Sequence, residues 1–129
     1  MTGIIMDGIT YDVRVVYGSL TRSFALIEGT NAGTSLTNAS IRDLVGTAYT
    51  YALQVEPNPA NVAAYDAFFA AISAPIDAHT VTFPYGQTVM TFRAKITGGG
   101  DVYRGMLGGF ERFANLALTF EPLEPQTEV

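Results

Sequence analysis

The run NPANVAAYDAFFAAI, residues 58–72, decides how the rest of this chain is read. Asn58 is a good N-cap, and Pro59 suits the first helical position, where its missing N–H would be unpaired anyway. Val62, Tyr65, Phe68, Phe69 and Ile72 then recur at three- and four-residue spacing, which makes one apolar face. The alanines between them favour helix and permit close packing. Pro75 closes the run. The spacing predicts one helix over about 59–73, and its aromatic stripe reads as core rather than as a cofactor box.

Outward from that helix, almost every regular segment alternates with period two. Ile9, Tyr11, Val13 and Val15 share one face of a first strand, preceded by the turn dipeptide Asp7-Gly8. Tyr17-Gly18-Ser19 interrupts it. Ser23 to Glu28 follows, with Phe24 and Leu26 on one side, and the two segments read as an N-terminal hairpin. Gly29 to Ser40 has almost nothing to bury and reads as a loop of about a dozen residues, longer than usual. Such a loop serves a function or is a tolerated surface insertion. Ile41 to Val45 is compatible with a single helical turn ended by Gly46. Thr47 to Val55 reads as a strong strand, with Tyr49, Tyr51, Leu53 and Val55 on one face.

Beyond the helix, His79–Phe83 and Thr88–Thr97 form a hairpin about Pro84-Tyr85-Gly86-Gln87, with Met90, Phe92, Ala94 and Ile96 on one face. Gly98-Gly99-Gly100 reads as a loop tip. Val102–Leu107 is a weaker strand broken by Gly108-Gly109. The last strand ends at Phe120, with Leu116, Leu118 and Phe120 inward. The expected fold is α+β, mainly β. It is a barrel- or sandwich-like sheet of roughly 6–8 antiparallel strands flanked by one helix. Residues 1–121 form the single domain, and 122–129 form a polar tail with no expected structure of its own.

Composition bounds the function. The chain has 129 residues, enough for one domain with a real core. It is 48% hydrophobic and only 15% charged, against about 25% charged for typical globular chains. A surface so poor in charge fits burial against a partner better than it fits full exposure. There is no cysteine, which excludes disulfides, thiolate metal sites and cysteine nucleophiles. The net charge is −5, and the seven basic residues are scattered rather than clustered. Sequence-specific nucleic-acid binding is therefore not expected. The N-terminus has no basic region before its short apolar run, and no stretch is long enough to span a membrane. The chain is expected to stay where it is made, without membrane insertion.

Little in the sequence supports catalysis. His79 is the only histidine and lies near Asp77. A triad would need Ser73 or Ser19 as nucleophile, and no nucleophile-elbow motif is present. A strand-end histidine bonded to a neighbouring carboxylate or turn is the simpler reading. The twelve acids include no calcium-loop spacing, and no pair is selected for glycoside hydrolysis. No cofactor, metal or catalytic residue is assigned. A carbohydrate- or ligand-binding β module remains an alternative, with Tyr17, Tyr85, Tyr103 and Phe110 as candidate contacts.

Three segments together carry a resemblance. They are VVYGSLTRSFALIEGTNAGTSL, then IRDLVGTAYTYALQVEPNPANVAAYDAFFAAISAPIDAHTVTFPYGQTVMTF, then LALTFEPLEPQ. They resemble small structural proteins from tail modules of tailed bacteriophages and prophages of Gram-positive bacteria, of the tail-tube or distal-tail kind. The resemblance covers Asp7 to Gln126. It implies a non-enzymatic virion protein, made in the host bacterial cytoplasm and incorporated into the tail. It would assemble with itself, in a hexameric ring, and with other tail proteins. It makes Gly29, Thr30, Asn31, Gly33, Thr34, Ser35 and Asn38, with Gly98, Gly99 and Gly100, the candidate subunit-interface loops. The acidic balance would suit a lumen that DNA passes without sticking. The chain departs from a complete distal tail protein in having no second, carbohydrate-binding-like domain, so a role in receptor binding does not follow.

Overall fold

The helix forms where the apolar spacing places it, and its first turn is set by a different asparagine from the one expected. In the computed structural model, which describes residues 3–28, 33–34, 40–41 and 44–128, α1 spans Val62–Ser73. Asn61 is its cap, with the side-chain oxygen accepting from Ala64 N at 3.3 Å. Asn58 is used elsewhere. Its Oδ1 accepts from Ala60 N at 3.0 Å, and its Nδ2 donates to the Asp12 carboxylate at 3.1 Å. An asparagine that closes its own turn is not available to cap the helix, so α1 starts about one turn later. Val62, Tyr65, Phe68 and Ile72 are buried, as the spacing requires.

The strands are β1 (Ile4–Met6), β2 (Ile9–Tyr11), β3 (Val13–Val15), β4 (Thr21–Glu28), β5 (Gly33–Thr34), β6 (Ser40–Ile41), β7 (Leu44–Pro57), β8 (His79–Tyr85), β9 (Thr88–Leu107), β10 (Phe110–Pro122) and β11 (Thr127–Glu128). Nine of them form one antiparallel sheet. Its path is β11-β7-β10-β9-β8-β1-β2, with β3 and β4 also on β7. This is the α+β, mainly β architecture expected. The sheet is open. Its two edges, β2 and β3, are separated in the chain by Asp12 alone, and no ladder joins them. At that corner the Asp12 carboxylate accepts from the side-chain amides of both Asn58 and Asn61, tying it to the start of α1.

Inward residues from six strands and the helix meet in one core. It is centred on Tyr51, Phe68, Phe83, Phe92, Leu116 and Phe120. Tyr51 stacks on Phe83 at 4.9 Å between centroids, and Phe83 leans on Phe120 at 5.1 Å. Such contacts add to the area-driven burial of large rings.

Several local expectations change. β3 and β4 do not form a hairpin. Both pair with β7, one beyond the other, so that Val15 lies opposite Val55 and Thr21 opposite Ala52. Tyr17-Gly18-Ser19 is looped out of this interrupted edge strand. Ser19 makes the excursion stable: its hydroxyl donates to Val16 O at 2.6 Å and accepts from Gln54 N at 3.1 Å, so the ladder is completed by a side chain. Leu44 and Val45 belong to β7 rather than to a helical turn. Within the supposed loop 29–40, Gly33–Thr34 pairs with Ser40–Ile41 as a small separate ladder.

The tail is also anchored. Gln126 accepts from Tyr49 N at 2.8 Å and donates to Tyr49 O at 2.7 Å, so its amide copies a strand rung, and β11 continues the pairing onto β7.

Candidate functional site

The clearest feature outside the core lies where the sequence places a flexible tip. Gly98-Gly99-Gly100 is not a tip: all three glycines lie within β9. Gly99 and Gly100 pair with Leu118 and Ala117 of β10. The reason for a glycine at 99 is contact. A Cβ there would stand 2.7 Å from Leu118 Cδ2 and 3.0 Å from Ala117 O. The true turn is Gly108-Gly109, both with positive φ (61° and 82°), between the paired residues Leu107 and Phe110. Two consecutive residues at positive φ make the tight hairpin turn whose twist matches its strands.

From Asp101 to Ala114 these strands run on past the core as a two-stranded arm. One register shift lies within it, between the Arg112–Gly105 and Phe113–Tyr103 pairs, and another at its root beside Asn115, which has φ 58°. Bulges of this kind bend a ribbon and re-aim it. The arm is apolar on both faces. Leu107 and Phe110 lie opposite one another on one face and are 70% and 56% exposed. The other face carries Met106, 65% exposed, with the ring pair Tyr103–Phe113 at 5.3 Å. The Tyr103 hydroxyl donates to Glu111, and this bond raises the phenol's pKa by stabilising its protonated form. Arg112 lies over the Phe110 ring and donates from Nε to Leu107 O at 3.2 Å. At the root, the Tyr65 hydroxyl donates to Asp101 at 2.7 Å. Burial first, and that carboxylate second, push the Tyr65 pKa far up, so it remains a donor.

Beside the root, between the end of α1 and residues Ile96 to Gly99, lies an open groove of about 570 Å³. Phe69, Ile72, Ile76, Ile96 and Leu116 supply its apolar wall, and Asp77 its charge. Two causes leave it open. Pro75 ends the helix early, and Gly98 and Gly99 bring no side chains.

A second unpartnered feature is β4. It pairs only with β7 among the described residues, leaving its other edge without a strand. Phe24, 70% exposed, and Leu26 project from it. Arg22 of the same strand lies over Tyr85, whose hydroxyl is 2.9 Å from that of Tyr49.

His79 is buried, and its Nδ1 donates to Asp7 Oδ2 at 2.6 Å. Asp7, rather than Asp77, is the partner, and it also accepts from Thr80 N at 2.8 Å. The hydrogen bond from His79 is the main reason the Asp7 pKa is lowered; partial burial opposes it and Thr80 reinforces it. The Ser73 hydroxyl bonds Phe69 O and the Ser19 hydroxyl bonds Val16 O, so neither is presented to His79 as a triad nucleophile.

Of the interface residues read from sequence, Gly98, Gly99 and Gly100 lie at the arm's root. Gly33 and Thr34 lie in β5. Gly29, Thr30, Asn31, Ser35 and Asn38 fall outside the described residues. The proposed ligand-contacting aromatics are exposed and dispersed: Tyr17 on the loop after β3, Tyr85 at the β8–β9 turn, and Tyr103 and Phe110 on the arm. Sequence reading missed the arm as a unit. Its signal was the Gly108-Gly109 dipeptide flanked by Met106, Leu107 and Phe110.

Compared with known proteins, the chain matches no protein-family model, no curated protein and no solved structure.

Proposed function

We propose that this chain is a non-enzymatic structural subunit of a bacteriophage or prophage tail, assembling into rings or a tube through strand edges and projecting segments. The observation that carries the reading is the β9–β10 arm, with Leu107 and Phe110 bare on one face and Met106 and Tyr103 bare on the other. An isolated two-stranded ribbon is marginally stable in water. Apolar side chains exposed on both sides of one are best accounted for by neighbours that cover them. The unpaired β4 edge is a second surface of the same character. The sequence resemblance to small tail proteins, and a charge content too low for a wholly solvated surface, favour the same conclusion.

Light scattering over a concentration series, with negative-stain microscopy of the same samples, tests it. Rings or tubes with a central lumen are expected, about six subunits round. Strict monomers with a saturable sugar affinity would instead favour the alternative, a carbohydrate- or ligand-binding β module.

A further inference from the structure

We infer that the tip of the β9–β10 arm of one copy seats in the groove beside the α1 C-terminus of the next copy, a head-to-tail contact between unlike surfaces. This deepens the assembly reading above and rests on it. Three observations carry it.

The first is reach. The groove lies at the arm's own root. Leu107 is seven residues beyond Gly100 along β9, about 23 Å at strand rise. A hairpin cannot fold back over that span onto its own base, so a tip seated in the groove comes from a different copy.

The second is apolar character. The tip presents Leu107 and Phe110, and the groove presents Phe69, Ile72, Ile76, Ile96 and Leu116. Ile76 is 58% exposed at the groove's mouth.

The third is charge. The arm's charged residues are Asp101, Arg104, Glu111 and Arg112; Asp101 accepts from Tyr65, Glu111 from Tyr103, and Arg112 donates to Leu107 O, which leaves Arg104 as the cation with no ion pair among the described residues. The groove's rim is negative. Asp77 has no ion pair there, and the last turn of α1 carries no basic residue to offset the negative end of the helix dipole. The two surfaces are complementary in both polarity and charge. A contact between unlike surfaces closes into a ring or continues as a filament, according to its rotation.

The native chain has no cysteine, so disulfide trapping is clean. Full-length Leu107→Cys and Ile76→Cys are mixed under mild oxidant, with Leu107→Cys plus Ile9→Cys as the reference. Ile9 is also exposed but lies on β2. The mixed Leu107–Ile76 dimer is expected to form at least ~10-fold faster than the reference, because seating raises the local concentration of the two thiols. A chain carrying both substitutions is expected to give a covalent ladder. Arg104→Glu should slow trapping about fivefold, and adding Asp77→Arg should restore it. Equal rates for the two mixtures would overturn the inference. Rings or tubes from the wild type alongside equal rates would leave the tail reading standing and remove only this contact. A rapid ladder with no ring or tube in stained samples would do the reverse.

Discussion

β9 and β10 are one pair of strands with two different environments. From Met90 to Ile96, β9 points Phe92 and Ala94 into the core, and β10 answers with Leu116, Leu118 and Phe120. From Asp101 to Ala114 the same pair still carries Val102, Tyr103, Met106, Leu107, Phe110 and Phe113, and these are exposed. Hydrophobicity does not separate the two halves, because both would read as strand. What separates them is whether the rest of the chain supplies a second layer. The inner half has α1 and the facing strands. Among the described residues, the outer half meets the helix at its base, through the bond from Tyr65 to Asp101 and with Phe113 beside Tyr65 and Phe69. Apolar strand content therefore specifies a fold in one half and fits a need for neighbours in the other.

The largest effect is expected in the core. Phe83→Ala removes a ring stacked between Tyr51 and Phe120 and should cost about 3–5 kcal/mol of unfolding free energy, read by urea denaturation. If it cost less than about 1 kcal/mol, the inner half would be no better packed than the arm.

Next comes the clamp between the β1–β2 turn and β8. Asp7→Ala strands a buried histidine and should cost about 1–3 kcal/mol. The low end is expected, because Asp7 itself is 45% exposed and solvent screens the pair. The sign of its pH dependence follows from the lowered pKa. The contribution is complete above the unfolded aspartate value, near 4, and is lost as pH falls through the lower folded value. Wild-type protein should therefore lose stability below about pH 4, and Asp7→Ala should lose less over the same range. Denaturation midpoints at several acidic pH values check this.

Smaller still is Tyr65→Phe, expected to cost about 1 kcal/mol. It should loosen the arm's root while leaving the core intact, seen as faster amide exchange at 101–103 than at 116–118. The smallest effect on the monomer is Phe110→Ser, within about 0.5 kcal/mol in dilute solution. The same substitution should weaken assembly strongly, with light scattering as the readout. A large loss of monomer stability would mean that the tip packs within its own chain.

The sequence makes one of these halves much easier to read than the other. The helix face and the inward sets of β7, β8, β9 and β10 were legible because burial imposes a period, and a period survives in sequence. The helix start was not, because Asn58 and Asn61 are both good caps, and the choice rests on Asn58 Oδ1 closing its own turn at Ala60 N while Asn61 Oδ1 accepts from Ala64 N. The N-terminal hairpin failed for a related reason. Ser19 lets the chain loop out and rejoin the same edge of β7, a side-chain substitution for backbone pairing that leaves no pattern. The Gly98–Gly100 run misled because glycine permits a loop tip and close strand contact equally well. What decides the matter is tertiary: a Cβ at residue 99 would stand 2.7 Å from Leu118 Cδ2. The His79 bond to a carboxylate was legible in kind; its partner, Asp7, is distant in sequence.

The most direct test of the division between the two halves is amide hydrogen exchange followed residue by residue across a concentration series. Amides of 101–114 are expected to exchange fast in dilute monomer and to become protected as the protein assembles, while those of 90–96 and 116–120 remain slow throughout. Arm amides as slow as core amides in the dilute monomer, or still fast in the assembled state, would contradict it.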